Sequence, residues 1–293
     1  MPFHPITVKI PRIMLETHDK YLYDISDDAF DLIRGILKSI KGFNLDIYKD
    51  KCIRRRIAIR IRATHCRSAE EYGEILRLKA DEPDQLLKVL TIHVSQFFRN
   101  LPTFEKLRAE IIPYLFELRD ASGSGRLTFW SVGCASGEEP YSLALILKEF
   151  FPRESMRERV AILATDVDAS ILEVARLGIY GEERLAEVPE TIRNHWFRKQ
   201  DGKYHLQPEI KEMADFKKSD LSDRDSFPES DLILCRNVLI YFERQQQEKI
   251  LNGFADVLRK GGILVMGKSE TLFGAIRARF QTVCPIERIY RVI

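Results

Sequence analysis

Two neighbouring carboxylates stand at the start of a predicted helix, directly after a turn of small residues. The apolar run Leu127 to Trp130 is followed by the segment VGCASG, by Glu138 and Glu139, and by Pro140, which suits the first turn of a helix. In α/β folds such a strand–loop–helix unit forms a nucleotide-type pocket at the carboxyl end of the strand. Two carboxylates would repel a pyrophosphate but attract a ligand that carries an ammonium and a sulfonium group. The stretch therefore points to S-adenosylmethionine; the alternative is a plain turn whose glutamates favour the helix N-terminus electrostatically.

Acidic residues also follow the second predicted strand of this region. The apolar run Val160 to Ala164 ends in Thr-Asp-Val-Asp, which places carboxylates at Asp166 and Asp168. A carboxylate at this place can accept hydrogen bonds from both hydroxyls of a ribose. Asp166 is the first choice for that role and Asp168 the second. The alternative is that either carboxylate only caps the next helix, Ile171 to Leu177.

Two later strand ends carry polar residues that could line the same pocket. Asp220, followed by the backbone N–H of Leu221, could read the amino group and a ring nitrogen of an adenine. The buried run Asp231 to Cys235 predicts another strand, and Asn237 follows at its carboxyl end. Tyr241, four residues later, could line the same cleft.

The elements that must position these residues alternate between strand and helix from about Leu101 onward. This alternation predicts an α/β fold, a Rossmann-like doubly wound sheet with helices on both faces, over residues 96–293. The alternation breaks within about residues 181–215, where an Asp201–Gly202 turn precedes a short strand. We predict a small inserted antiparallel β-subdomain with a hairpin there.

The N-terminal third of the chain has a different character. Residues 1–20 carry three prolines and no helical period, which predicts an extended or disordered leader. Residues 21–95 read as an all-α domain. Its first helix follows Ser26, an N-cap candidate, and shows apolar residues at helical spacing.

An arginine-rich helix is predicted to begin at about Asp50 within this domain. Ile53, Ile57 and Ile61 fall on one face, so the arginines should project from the remainder. No acidic residue lies between Lys51 and Ala69, so few internal salt bridges are expected. An acidic protein partner lying along the helix fits this charge. The alternatives are a solvated face and a nucleic-acid surface, the latter without interleaved aromatic residues. The partner-binding candidates are Arg54, Arg55, Arg56, Arg60 and Arg62.

The composition limits the remaining function classes. The 293 residues carry a net charge of only +2, so the molecule as a whole is not an obvious polyanion binder. No run approaches about 18 uncharged apolar residues, and the N-terminus lacks the apolar core of a signal peptide. The five cysteines are scattered without CxxC spacing, which predicts reduced thiols and no metal site. We expect a cytoplasmic protein.

Six motifs stand out along the chain. They are Phe97–Phe98–Arg99, Ser136 to Ser142 (SGEEPYS), Thr165 to Asp168 (TDVD), Asp220–Leu221, Cys235 to Phe242 (CRNVLIYF) and Gly267 to Glu270 (GKSE). Taken together, they resemble the motifs of the CheR family, the chemotaxis receptor glutamate O-methyltransferases, and the resemblance extends from about Asp24 to Val292. The GKSE motif resembles the family's GHSE, with Lys268 in place of His.

The resemblance implies S-adenosylmethionine as methyl donor and side-chain glutamates of transmembrane chemoreceptors as acceptors. It also implies that the helical domain approaches the receptor. His93 stands where the family usually has Asn, Ser95 where it has Thr, and Asp220 replaces an Asn of some relatives. By position, the implied cofactor contacts are His93, Ser95, Arg99, Glu139 with Glu138 adjacent, Asp166, Asp220, Leu221, Asn237 and Val238.

The implied chemistry needs little from the protein. A glutamate side chain with an ordinary pKa of about 4.3 is ionised at neutral pH, so it needs no general base. We assign Arg99 to the carboxylate of the cofactor or the acceptor and Tyr241 to a position beside the transferred methyl group. The alternatives are Arg99 paired with a local acid and Tyr241 as ordinary core. Two other functions stay open: a nucleic-acid methyltransferase, and an idle module that senses S-adenosylmethionine or its product, S-adenosylhomocysteine.

The predicted hairpin, Arg198 to His205, bears on how a receptor would be held. Some family members add a receptor's C-terminal pentapeptide as an extra strand beside the β-subdomain, which requires an exposed edge and room for side chains. The hairpin here is shorter than in those relatives and lacks their Gly-rich turn. We therefore expect a protein that acts without that peptide. From the charge and the hydropathy described above, we also expect that it binds no nucleic acid and does not insert into the membrane.

Overall fold

The computed structural model of the chain describes residues 25–91, 93–123, 125–152 and 159–293. The predicted leader, residues 1–20, lies outside these ranges. The chain divides into two compact units, the first ending at Ile92 and the second beginning at His93.

Four α-helices form the described part of the first unit, as the sequence predicts. The Ser26 hydroxyl caps the first of them by accepting a 3.2 Å hydrogen bond from the Ala29 N–H. Ile33, Ile57 and Tyr72 are fully buried between the helices, so the unit has its own apolar core. The helices are α1 (Asp27–Lys41), α2 (Asp50–Ala63), α3 (Ala69–Leu78) and α4 (Glu82–Leu90).

A seven-stranded mixed sheet forms the centre of the second unit, in the order β6-β2-β1-β7-β8-β10-β9. The first five strands of that order run parallel, and β10 is antiparallel to both β8 and β9. The predicted Rossmann-like sheet is therefore confirmed. Its strands are β1 (Leu127–Val132), β2 (Val160–Asp166), β6 (Ala214–Lys218), β7 (Ser230–Cys235), β8 (Leu258–Met266), β9 (Phe280–Cys284) and β10 (Ile289–Val292).

Both faces of the sheet are covered by other parts of the second unit. Successive side chains of β1 point to opposite faces, and each packs against a different set of apolar residues. Phe129 joins a cluster that includes Leu115 and Leu145, whereas the Trp130 ring meets Phe227 and Phe254. The surrounding helices are α5 (Leu101–Lys106), α6 (Ile112–Ser122), α7 (Glu138–Phe150), α8 (Ala169–Leu177), α9 (Glu190–Trp196), α10 (Pro208–Lys211) and α11 (Arg244–Val257). None of the helices in the described residues is both long and apolar enough to span a lipid bilayer.

The parallel strands end together, which sets the position of the loops that follow them. Val132 pairs with Thr165 on one side and with Cys235 on the other, and Cys235 pairs with Met266. Since β1 lies between β2 and β7, the chain order reverses beside it, which is where open α/β sheets form ligand crevices.

The predicted inserted β-subdomain is present as a three-stranded antiparallel sheet. Its strands are β3 (Ile179–Tyr180), β4 (Phe197–Gln200) and β5 (Lys203–Leu206), in the order β3-β5-β4. Asp201 and Gly202 form the predicted two-residue turn, with φ of 50° and 74°. Positive φ at both positions matches a tight hairpin turn whose twist follows that of the strands.

Candidate functional site

The loop between β1 and α7 is shaped by two glycines with positive φ. A Cβ on Gly133 (φ 63°) would lie 2.6 Å from Cγ2 of Val238, and one on Gly137 (φ 90°) would lie 3.1 Å from the Tyr141 ring. Neither position accepts a side chain, because both the backbone conformation and the space require glycine. The loop consequently lies directly against the segment that follows β7.

The two glutamates after this loop have different surroundings. Glu138 is fully buried, and its Oε1 accepts a 2.7 Å hydrogen bond from the Ser136 hydroxyl. Glu139 accepts from the Ser131 hydroxyl at 2.8 Å and from Arg236 Nη1 at 3.1 Å, and its side chain stays 13% exposed. Glu139 is therefore the carboxylate that a cationic ligand could reach.

Asp166 at the end of β2 holds the loops on either side of it. Its Oδ2 accepts from the Ala135 N–H and its Oδ1 from the Asp168 N–H, both at 3.0 Å. Burial raises the pKa of Asp166, and these backbone donors oppose the shift. Asp168 caps α8, as the alternative reading allowed, by accepting from the N–H and hydroxyl of Ser170 at 2.8 Å and 2.7 Å. Each Asp166 oxygen keeps a lone pair for a ribose hydroxyl, so that role stays a prediction.

The segment before α5 carries three of the predicted contact residues, His93, Ser95 and Arg99, all in the second unit. His93 Nε2 lies 3.7 Å from Oδ2 of Asp168, next to the predicted ribose carboxylate. The Ser95 carbonyl accepts from Arg184. Arg99 Nη1 donates to the Val94 carbonyl at 2.9 Å, and no carboxylate of the described residues forms a salt bridge with Arg99. The alternative of a local acid beside Arg99 therefore finds no support in the described part of the chain.

Arg236 is a site residue that sequence reasoning missed. Its side chain is 2% exposed and lies 5.2 Å above the Phe104 ring. Nη1 donates to Glu139, and Nη2 donates to the Arg99 carbonyl at 2.5 Å. The only sequence signal was a charged residue directly after a buried apolar strand. Arg236 joins two predicted contact residues from distant parts of the chain.

Glu270 is a second residue to which the sequence gave no role. Four backbone N–H groups donate to its carboxylate, three of them from Asn237, Val238 and Leu239. The segment after β7 is thereby fixed to the segment after β8.

The remaining predicted contacts lie after β6 and β7. Asp220 accepts from the Ser222 N–H at 2.8 Å in a local turn, and Leu221 is buried. Tyr241 is half-buried in the short helical turn Leu239–Tyr241. The Ser219 N–H donates to the Asp166 carbonyl at 3.0 Å, which places the Asp220 turn beside the end of β2.

The site residues fit S-adenosylmethionine. The Glu139 side chain is 13% exposed, so its carboxylate can receive an ammonium or sulfonium group; that role stays a prediction. Oε2 of Glu138 and Oδ1 of Asn237 are buried acceptors without a hydrogen-bond donor among the described residues. Such oxygens call for N–H or O–H donors, which the amino and hydroxyl groups of this cofactor provide.

Burial raises the pKa of the two cysteine thiols near the site, Cys134 and Cys235, well above the ordinary value. Both stay protonated at neutral pH and are poor nucleophiles. All five cysteines are free in the structure.

The expectation for the arginine helix α2 needs correction. Arg56 does not project into solvent: it is 9% exposed and donates to the carbonyls of Val89 and Leu90, which end α4. The last carbonyls of a helix lack intrahelical partners, so a buried guanidinium satisfies them.

Internal salt bridges are also more frequent on α2 than predicted, because other helices supply the acids. Arg54 pairs with Asp27 at 2.6 Å, and Arg60 makes a two-pronged contact with the buried Glu82 at 2.6 and 2.8 Å. Arg55 and Arg62 remain exposed, on the same face as Lys51 and the exposed Ile59. The candidate partner surface, called the α2 face below, is therefore Lys51, Arg55, Ile59 and Arg62.

One edge of the Rossmann-like sheet carries the glycine loop after β1, the carboxylate at the end of β2 and the polar residues after β6 and β7. Open α/β sheets bind ligands at this place. This fold and these residues are those expected of a methyltransferase that uses S-adenosylmethionine. Two family models match the chain: "CheR methyltransferase, SAM binding domain" over residues 93–286 and "CheR methyltransferase, all-alpha domain" over residues 28–91. The chain belongs to the CheR methyltransferase family.

Relatives that carry the name chemotaxis protein methyltransferase agree with this assignment over most of their length. The chain is 35% identical to the chemotaxis protein methyltransferase of Borreliella burgdorferi over 259 residues, 86% of this chain and 90% of that protein. It is 35% identical to the chemotaxis protein methyltransferase of Listeria innocua over 249 residues, 85% of this chain and 92% of that protein. It is 30% identical to chemotaxis protein methyltransferase 2 of Vibrio cholerae over 254 residues, 85% of this chain and 87% of that protein.

Proposed function

We propose that this protein transfers the methyl group of S-adenosylmethionine to side-chain carboxylates of glutamates in chemoreceptors. The observation that carries the proposal is Arg99. Its guanidinium belongs to the group of predicted cofactor contacts yet forms no salt bridge with a carboxylate of the described residues. A carboxylate from a substrate is the natural partner of such a guanidinium. The names of the relatives place their activity in chemotaxis, where receptors are the expected substrates.

When bound, S-adenosylmethionine supplies an electrophilic methyl group on a sulfonium. Glu139 provides the negative charge for the cationic end of that cofactor, and Arg236 fixes the position of Glu139. Arg99 holds the carboxylate of the cofactor or the acceptor, and Tyr241 restricts the place where the acceptor lies. An acceptor glutamate is already ionised at neutral pH, so no residue has to take a proton. Orientation and exclusion of water provide the acceleration.

We propose the α2 face as the surface that meets the receptor. Arg55 and Arg62 are exposed, and no ion pair of either is found among the described residues. Uncompensated charges of one sign attract an acidic partner and speed its association. Arg54, Arg56 and Arg60 form hydrogen bonds or salt bridges inside the first unit. The exposed positive charge of α2 is therefore smaller than the sequence suggests, which weakens the alternative of a nucleic-acid surface.

The decisive experiment measures transfer of a tritiated methyl group from labelled S-adenosylmethionine to membranes that contain chemoreceptors. We expect label on the receptor that is released by base as volatile methanol, because carboxyl methyl esters hydrolyse in base. Replacing the acceptor glutamates by alanine should abolish it, and Arg99→Gln should lower it strongly. Label that resists base, or no label at all, would contradict the proposal.

A further inference from the structure

The buried carboxylate of Glu270 organises the loop that follows β7. Its Oε2 accepts from the Gly267 N–H at 2.7 Å and from the Asn237 N–H at 2.9 Å. Its Oε1 accepts from the Val238 N–H at 2.9 Å and from the Leu239 N–H at 2.8 Å. Glu270 is 5% exposed, so these four donors replace water as its hydrogen-bond partners.

The pattern of donors requires an ionised carboxylate. A carboxylate has two oxygens that accept only, whereas an amide of the same shape has one acceptor oxygen and an NH2 group that donates. Burial raises the pKa of Glu270, and the backbone donors oppose that shift. With glutamine at this position, the NH2 group would face two N–H donors and leave them unsatisfied.

The approach of the two loops also depends on Gly267. A Cβ at this position would lie 2.7 Å from the Asn237 nitrogen and 2.7 Å from Oε2 of Glu270. Asn237 itself has a φ of 60°, a conformation that residues other than glycine seldom adopt. Hydrogen bonds on both sides of this residue keep it there.

Val238 connects the loop after β7 to the glycine loop of the predicted cofactor site. Its side chain occupies the space that a Cβ on Gly133 would need, at 2.6 Å. The loop after β7 thus lies against the glycine loop after β1, while Glu270 fixes its backbone through hydrogen bonds.

We propose that Glu270 is a positioning residue for cofactor binding, which holds Asn237 and Val238 in the conformation that S-adenosylmethionine requires without touching the cofactor itself. The proposal rests on the cofactor site described under the proposed function. It assigns a role to the carboxylate of the GKSE motif and explains why a glycine stands three residues before it.

The test compares Glu270→Gln with the unchanged chain by two measurements. Without cofactor, amide hydrogen exchange in the segment 235–242 should become faster, because the acceptor of its N–H groups is impaired. Calorimetry should show S-adenosylhomocysteine binding weakened by about tenfold or more, as expected when buried donors lose a charged acceptor. In turnover assays the KM for S-adenosylmethionine should rise, while the KM for receptor stays unchanged.

Asp231→Asn is the matched control. Asp231 is a buried carboxylate that accepts from the Thr128 N–H at 2.7 Å and pairs with Arg119 and Arg259, and it lies at the amino end of β7. This variant should lower the melting temperature but leave the affinity for S-adenosylhomocysteine unchanged. Equal loss of affinity in both variants would mean that Glu270 acts only through global stability.

Gly267→Ala is a second variant, which disturbs the contact between Glu270 and the loop after β7 by adding a methyl group. It keeps the test decisive if Glu270→Gln does not fold. It should reproduce the faster exchange and the weaker binding. Unchanged cofactor affinity in either folded variant overturns the inference. Failure of the wild-type chain to methylate receptors, with cofactor affinity still dependent on Glu270, would overturn the proposed function and leave the inference standing.

Discussion

At the scale of single residues, buried charged side chains hold the site together through hydrogen bonds with backbone groups. Asp166 accepts from the loop after β1, Glu270 accepts from the loop after β7, and Arg236 donates to the Arg99 carbonyl. A charge removed from water is retained only when such bonds satisfy it. These residues therefore define the shape of the pocket as well as its charge.

The first prediction separates the two aspartates after β2. Asp166→Ala should weaken binding of S-adenosylhomocysteine by about 2 kcal/mol, roughly 30-fold, because bonds to a charged acceptor are lost. Asp168→Ala should cost about 1 kcal/mol of stability, as for a lost helix cap, and leave the affinity nearly unchanged. Calorimetric titration and thermal unfolding of both variants check this. The opposite pattern would transfer the ribose role to Asp168.

Sequence patterns led to candidate contact residues but not to the residues that support them. Glu138 and Glu139 are identical in sequence terms, yet only the structure shows that Glu139 is the accessible one. Arg236 and Glu270 act through backbone groups distant in the chain, and no spacing or periodicity encodes such pairs. Their roles depend on which strands become neighbours.

At the scale of elements, α2 shows why local charge counts mislead. Its only acid is Asp50 in the first turn, 3.5 Å from Arg54, but Asp27 and Glu82 reach the helix from α1 and α4. The start of the helix near Asp50 and the burial of Ile53 and Ile57 followed from periodicity, because a 3.6-residue pattern is a property of the segment alone, whereas Ile61 is only half-buried. Pairing between helices is a tertiary property, so it was not predictable from the segment.

The second prediction concerns the α2 face. The double variant Arg55→Glu and Arg62→Glu should lower kcat/KM for receptor by roughly tenfold at low salt, since surface charges act on encounter. The effect should shrink at high ionic strength. The control is Lys38→Glu with Lys88→Glu, which makes the same charge change on α1 and α4. Equal slowing by both double variants, or a lowered melting temperature in the first, would argue against a receptor surface.

The third prediction concerns the β4–β5 hairpin. Its two-residue turn at Asp201 and Gly202 leaves little loop to close over an added peptide strand. Calorimetry with a receptor C-terminal pentapeptide should therefore detect no binding, and receptor without its tail should be methylated as fast as intact receptor. Micromolar binding that is lost on altering β4 would show that this edge accepts a strand after all.

At the scale of the whole molecule, the predicted cofactor contacts all belong to the second unit, which begins at His93, and the α2 face belongs to the first. The division of labour between an all-α unit and a Rossmann-like unit followed from composition and alternation along the chain. Each unit has its own apolar core, so the apolar residues of each follow the periodicity of its own helices or strands. This is why the division could be predicted from the sequence.

The fourth prediction follows from this division. Saturating S-adenosylhomocysteine should slow amide hydrogen exchange in the loops after β1, β2 and β7, because a ligand stabilises the state that binds it. Peptides from residues 25–91 should exchange at unchanged rates. Hydrogen exchange mass spectrometry with and without the product measures both. Protection confined to the first unit would place the binding site elsewhere.

The surroundings of Trp130 also give the molecule its own optical reporter. The chain has two tryptophans, and Trp130 is the fully buried one, with its indole N–H donating to the Thr165 hydroxyl at 2.9 Å. Its ring lies edge-on to Phe254, and Thr165 directly precedes Asp166. A rigid indole in an apolar setting emits at short wavelength and contributes strongly to near-ultraviolet circular dichroism. Changes at the end of β2 should therefore be visible in the native fluorescence, without any attached label.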